Sequence, residues 1–298
     1  MRIGVDLGGT KIEAVVLAPD GSEAFRRRVA TPRHDYAATI RAIVALVDEA
    51  ETASGGRRPV GVGIPGMVSP ATGLVKNANS TWLIGKPLDR DLAEALGRPV
   101  RLMNDANCFA LSEAADGAGA GLPVVFGVIV GTGTGGGIVV DGRVLTGPNA
   151  IAGEWGHCPL PWPEAEDEPA PRCWCGKRGC IETYLSGPGL EREHERRSGA
   201  RRSAEEVARL ATAREAPARA ALDLYIRRMA RALAMVINVL DPDVIVLGGG
   251  MSNLAALYDE VPKLWGAHAF SDRITTPLRP PVHGDSSGVR GAARLWPE

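Results

Sequence analysis

The order strand, glycine turn, strand occurs twice in this chain of 298 residues. Residues 3–7 and 12–17 are apolar strand patterns flanking Gly8-Gly9-Thr10. Residues 124–130 and 138–140 flank a run from Gly131 to Gly137 in the same way. Each copy is followed by helical patterns and further buried strands. Residues 24–30, 60–64, 100–103 and 243–247 read as strands; 35–53, 89–96, 106–115, 205–213, 216–240, 255–266 and 287–295 read as helices. A chain of this length suits two domains rather than one core. The repeat predicts two related α/β domains facing each other across a cleft.

Between the helical patterns lies an irregular middle, residues 141–190. It holds Glu154-Trp155-Gly156-His157 and, further on, Cys173-Trp174-Cys175-Gly176-Lys177-Arg178-Gly179-Cys180-Ile181-Glu182. Three sulfurs and one imidazole can close a tetrahedral zinc site, with His157, Cys173, Cys175 and Cys180 as ligands. A closed set of four ligands leaves no position for a reactive water, so the metal would be structural. Its task would be to fix the loop that carries Glu154 and Glu182. The alternative is a disulfide cluster, but five cysteines are few and odd in number for a secreted, stapled fold. Cys158, beside His157, is the sulfur that complicates the ligand count. Cys108 sits in an apolar helical pattern and reads as a small core residue.

The chain shows neither a signal-peptide pattern nor an apolar run long enough to span a bilayer. The expected compartment is the reducing cytoplasm. The formal net charge of −1 supplies no global field for nucleic acid or an anionic membrane. Arg26-Arg27-Arg28 is a short basic run, and the arginines of 192–202 alternate with glutamates as on a solvated helix face.

Many of the 37 glycines fall in loops, which points to binding sites built from backbone. Bare amides can converge on phosphate oxygens where glycine permits close approach. Three loops qualify: Asp6-Leu7-Gly8-Gly9-Thr10-Lys11, the run Gly131-Thr132-Gly133-Thr134-Gly135-Gly136-Gly137, and Gly248-Gly249-Gly250. The second is close to a dinucleotide fingerprint, but a strand rather than a helix follows it. A nicotinamide fold is therefore disfavoured, and a Walker A pattern is absent. At Asn104-Asp105 a buried strand ends and a helix begins. Asp105 is either the helix N-cap or a carboxylate at a strand's C-terminal tip, where α/β clefts place their chemistry.

Together these residues resemble the sugar kinases of the ROK family (repressors, open reading frames, kinases). The motifs are Asp6 to Lys11, Glu154-x-Gly156-His157 and Cys173-x-Cys175-Gly176-x-x-Gly179-Cys180-x-Glu182. The likeness extends through Asp241-Pro242-Asp243 and Gly248-Gly249-Gly250 to His283-Gly284-Asp285-Ser286-Ser287-Gly288. It implies two actin-like domains of the ribonuclease H-like, hexokinase type around a cleft, with a zinc knuckle. The expected small domain is 1–117 joined by the C-terminal helix 288–298. The expected large domain is 118–287, with the zinc loop at 154–182.

The resemblance further implies Asp105 as catalytic base, taking the proton of the sugar's 6-hydroxyl as it attacks the γ-phosphate of ATP. Asn79, Asn104, Glu154, His157 and Glu182 would hold sugar hydroxyls. His157 would give one ring nitrogen to Zn2+ and turn the other toward the sugar. Asp6 would help place Mg2+ with the nucleotide. Gly8, Gly9, Thr10, Lys11, Thr132, Gly133, Thr134 and Gly135 would hold phosphates, and Gly249 and Gly250 would border the adenosine. A homodimer is also implied.

Within the family, Asn77-Ala78-Asn79-Ser80-Thr81-Trp82-Leu83, 154–162 and the C-terminal stretch look most like bacterial fructokinases, some of which accept mannose. Fructose is therefore the expected substrate. Thr134-Gly135-Gly136-Gly137 looks instead like the N-acetylglucosamine kinases, so N-acetylglucosamine or glucose is the alternative. A sugar-responsive regulator is disfavoured, because the phosphate motif begins at Asp6 and leaves no room for a DNA-binding module before it.

Overall fold

The computed structural model describes residues 1–284 and 287–297. Asp285 and Ser286 of the C-terminal motif, and Glu298, lie outside the described residues. The strands in chain order are β1 (Arg2–Leu7), β2 (Lys11–Leu17), β3 (Glu23–Ala30), β4 (Val60–Ile64), β5 (Met67–Val68), β6 (Val75–Lys76), β7 (Val100–Asn104), β8 (Val124–Val130), β9 (Thr134–Val140), β10 (Arg143–Val144), β11 (Val244–Gly248) and β12 (Leu278–Arg279). The helices are α1 (Tyr36–Ser54), α2 (Leu88–Leu96), α3 (Asp105–Asp116), α4 (Ile181–Tyr184), α5 (Gly187–Ser198), α6 (Ala204–Thr212), α7 (Ala216–Leu240), α8 (Ala255–Leu264) and α9 (Ser287–Ala293).

Two five-stranded sheets share one topology. The first has the order β3-β2-β1-β4-β7 and the second β10-β9-β8-β11-β12. In each, the first three strands form an antiparallel meander and the last two add parallel. β1, β4, β8 and β11 read as nearly unbroken apolar runs because they are buried on both faces. Each sheet has its own core. Ile3, Val5, Ile43, Val62 and Leu92 belong to the first; Phe126, Tyr225, Met229, Leu233 and Ile245 belong to the second. The basic run on β3 is an edge strand facing solvent, and Arg28 pairs at 2.7 Å with Glu13, a buried carboxylate on β2.

Helices α3 and α9 join the halves. Gly4 and Gly61 let α9 lie on the first sheet: a Cβ on either would stand 2.0 Å from a carbonyl oxygen of that helix. Gly291 on the other side would place a Cβ 1.7 Å from the Cys108 carbonyl of α3. Buried Glu113 anchors the same junction, accepting from the backbone of Ala118, Val282 and His283 and from the Ser287 hydroxyl. α3 is thereby gripped from both sides, with its N-terminus at the meeting of the two sheets.

Two local expectations are corrected. The second glycine run is not a loop to residue 137, because β9 already begins at Thr134 and Gly137 pairs with Gly127 of β8. Glycine is disfavoured in a strand by intrinsic preference, but here the bare backbone is pressed against α3 and packing overrides that preference. The helix expected at 255–266 ends at Leu264 and continues as a single 3-10 turn, Trp265–Ala267.

Candidate active site

A cleft of about 380 Å³ opens where the two sheets' C-terminal strand ends face each other. It is lined by Asn79, Asn104, Asp105, Thr132, Gly133, Thr134, Gly135, Glu154, His157 and Glu182, all expected from the sequence. Several elements deliver them, each for a local reason.

Asn104 ends β7, and its Oδ1 accepts from the backbone N–H of Ala106 at 2.9 Å and of Asn107 at 3.3 Å. That is the N-cap of α3. Of the two roles left open for Asp105, the N-cap falls to Asn104; Asp105 is the first residue of the helix, accepts from the Ala106 N–H at 2.8 Å and lines the cleft. Asn104 Nδ2 donates to the Gly66 carbonyl at 3.2 Å, so its side chain is largely occupied by the fold.

The hairpin tip Gly131–Gly133 is tied to the segment around α4. Thr134 N–H donates to Glu182 Oε2 at 3.0 Å, the Thr134 hydroxyl donates to the Leu185 carbonyl, and Gly187 N–H donates to the Gly131 carbonyl at 2.8 Å. Gly156 then allows the next segment to lie flat on β9, since a Cβ there would be 2.0 Å from the Thr134 carbonyl oxygen. Trp155 locks it with an indole hydrogen bond to the Gly135 carbonyl at 3.0 Å and an edge-to-face contact on Phe126. Glu154 and His157 flank that tryptophan and reach the cleft.

His157 Nδ1 stands 3.6 Å from Cys173 Sγ, and the Cys175 and Cys180 sulfurs are 3.6 Å apart. All four ligating atoms lie within 4.8 Å of one another. Zinc–sulfur and zinc–nitrogen bonds of about 2.3 and 2.0 Å give tetrahedral edges of roughly 3.5–3.8 Å, so the donor set fits a zinc ion. Cys158 is outside the cluster and packs against the core of the second sheet.

Negative groups crowd the cleft. Burial lifts Asp105 from the ordinary 3.8 to about 6, opposed by the Ala106 amide and reinforced by the charge of Glu154. Asp6 is lifted to about 7 by burial, then by Asp105 and Glu13, with Lys11 and Arg28 opposing. Burial also raises Glu154. Both aspartates are only partly accessible, so protein surrounds most of each carboxylate.

Asp6, Gly8, Gly9, Thr10 and Lys11 do not line this cleft; they flank it. Asp6 lies close enough to Asp105 to be perturbed by its charge, and Gly9 lies against Ser80, next to Asn79. Past Gly131 and Thr132, which it shares with the cleft, a second cavity of about 770 Å³ continues. Gly250 lines that cavity, whereas Gly249 packs against Val130. Its other walls, among them Gly187, Glu191, Ala204, Glu205 and Met251, were not identified from the sequence. The signal was Ser186-Gly187-Pro188-Gly189, a capped helix start in which Ser186 Oγ accepts from Gly189 N–H at 3.2 Å. Asn77 and Trp174, both in the first cleft, were likewise missed as site residues.

The ROK family model matches residues 2–298. This chain belongs to the ROK family. An N-acetyl-D-glucosamine kinase of Pasteurella multocida is 41% identical over 301 residues, spanning 99% of both chains. One of Photobacterium profundum is 42% identical over 299 residues with the same coverage. Among solved structures, the ROK hexokinase of Thermus thermophilus superposes with a TM-score of 0.87 at 33% identity, covering 98% of this chain and 96% of that one. A ROK family glucokinase from Streptomyces griseus in complex with glucose and AMPPNP gives 0.82 at 28% identity, covering 99% and 98%. The ROK chain thus has the actin-like, hexokinase-type α/β fold. The fructokinase expectation is overturned: full-length relatives at about 40% identity are N-acetyl-D-glucosamine kinases. Asn77 to Leu83 misled because hexoses share most hydroxyls, and the segment places only part of one wall of the cleft.

The raised Asp105 value has a consequence for stability. Between about pH 4 and 6 the folded protein holds this proton and the unfolded chain does not, so its stabilising contribution is present below pH 4 and lost as pH rises through 6. Asp105→Asn removes the cost of the buried charge. In urea unfolding at pH 8 the variant is expected to be more stable than wild type by about 2 kcal/mol, with the difference vanishing near pH 4. Equal or lower stability of the variant at pH 8 would contradict the assignment of a buried carboxylate with raised proton affinity.

Proposed function

We propose that this protein is an ATP-dependent N-acetyl-D-glucosamine kinase that phosphorylates the sugar's 6-hydroxyl. The observation that carries the proposal is the continuity of the two cavities at Gly131 and Thr132, with Asp105 on the side of the first. One cavity offers carboxylates, amides and an imidazole for a sugar, and the other a larger, partly apolar space for a nucleoside. Their shared wall is the hairpin tip whose amides suit phosphate. The full-length relatives support N-acetylglucosamine over fructose.

In this reading the sugar lies with its 6-hydroxyl toward Asp105 and its other hydroxyls toward Asn79, Glu154, His157 and Glu182. Asn104 contributes its remaining amide hydrogen. Asp105 accepts the hydroxyl proton as the oxygen attacks phosphorus in line. Its raised value suits a base that must gain and release a proton near neutral pH. Thr10, Lys11 and the Gly131–Gly133 tip would hold phosphate oxygens. Asp6, crowded by Asp105 and Glu13, would help hold Mg2+ arriving with the nucleotide, whose charge would offset that of the phosphates. Residues 1–117 with the C-terminal helix would close on 118–287 and exclude water.

His157, Cys173, Cys175 and Cys180 would hold a zinc ion whose contribution is to rigidify the knuckle. Glu182 follows the candidate ligand Cys180 by two residues, and His157 would be at once ligand and cleft wall, so the metal would couple to sugar affinity.

Two measurements test these readings. Initial rates with ATP across N-acetyl-D-glucosamine, glucose, mannose and fructose should rank the acetylated sugar first in kcat/KM by at least about tenfold. A higher value for any other hexose would refute the substrate assignment. Elemental analysis of the purified protein should find about one zinc per chain, and its chelation should raise the sugar KM while leaving most of the far-ultraviolet signal. A metal-free protein with full sugar affinity would end the zinc proposal.

A further inference from the structure

We propose that Trp174 determines specificity by providing the apolar wall for the 2-acetamido methyl of the sugar; this rests on the N-acetyl-D-glucosamine reading above. Trp174 lies between two knuckle cysteines, where the family motif leaves the residue open. A tryptophan there is 61% exposed, although such a side chain normally covers itself. It is not loose. Its Nε1 donates to Glu182 Oε1 at 2.7 Å, and its ring meets the His157 imidazole edge to face at 5.0 Å between centroids. Glu182 is itself held by the Thr134 amide. The indole therefore stands at a fixed place with its surface open to the cleft it lines.

Its position along the cleft follows from neighbouring interactions. Asp105 stands at the start of α3, whereas Trp174 is held by Glu182 and His157 on the knuckle. Both line the same cleft. In the reading above, a hexose with C6 at Asp105 presents its C1 to C3 edge to the knuckle groups Glu154, His157 and Glu182. The groups already there, Glu154, His157 and Glu182, suit hydroxyls and the acetamido N–H. They provide nothing for a methyl, which gains free energy only from apolar contact. Among the described residues lining the cleft, Trp174 has the largest apolar side chain, and it stands against two of those groups, Glu182 and His157.

The test compares two sugars in two variants of the full-length protein. Trp174→Ala should lower kcat/KM for N-acetyl-D-glucosamine by about tenfold, mainly through KM, and for glucose by less than about threefold, the scale of a small apolar group in a pocket. Trp174→Phe keeps an aromatic surface but loses the hydrogen bond to Glu182, and should recover most of the loss. Equal losses on both sugars would mean that Trp174 acts through Glu182 or the knuckle. Failure of Phe to restore activity would say the same, and no loss would remove Trp174 from recognition; each outcome overturns the proposal. The broader kinase reading fails separately, if the wild-type protein does not phosphorylate N-acetyl-D-glucosamine.

Discussion

The cap of α3 is the interaction on which the site depends. A helix start leaves N–H groups unsatisfied, and the nearest short polar side chain is drawn to them. In this protein Asn104 meets that demand with its amide oxygen, leaving Asp105 for the cleft. Asp105 Oδ1 still accepts from the Ala106 N–H at 2.8 Å, which lowers its affinity for protons, but burial dominates and the group is raised to about 6. One neutral amide placed one residue earlier turns a structural aspartate into a candidate base.

The opposite wall is built by close approach of backbones. Where β9 lacks side chains, the segment from Gly153 to His157 and helix α3 both press against it. This compression sets Glu154 and His157 beside the hairpin tip. The Cys/His cluster then ties His157 to the turn that carries Trp174 and Glu182. The groups proposed to hold a sugar and phosphate thus share one scaffold, and a small shift of the knuckle would be felt on both sides of the cleft.

Much of this was legible in the sequence because it is local or repeated. Strands 60–64 and 124–130 and helix 216–240 follow from unbroken apolar patterns bounded by turn residues. The metal-type cluster follows from ligand spacing, and the two-sheet plan from the repeated glycine turn. Less legible were features set by contacts between distant segments. Gly135–Gly137 read as loop because intrinsic preference ignores the helix that packs on them. Asn104 and Asp105 are equally good caps on paper, and only the geometry separates them. The second cavity draws its walls from α5, α6 and the turn after β11, which no sequence spacing relates. Sugar identity was the least legible, since hexoses differ by few groups and the place of Trp174 in the cleft is invisible until the knuckle is folded.

The central claim is that Asp105 accepts the proton of the attacking hydroxyl. Its most direct measurement is the turnover of Asp105→Asn beside the equilibrium affinity of the same variant for N-acetyl-D-glucosamine. Loss of a general base lowers kcat by about 100-fold or more, while the isosteric amide should leave the sugar dissociation constant within about threefold. Turnover close to wild type, with affinity unchanged, would contradict the account.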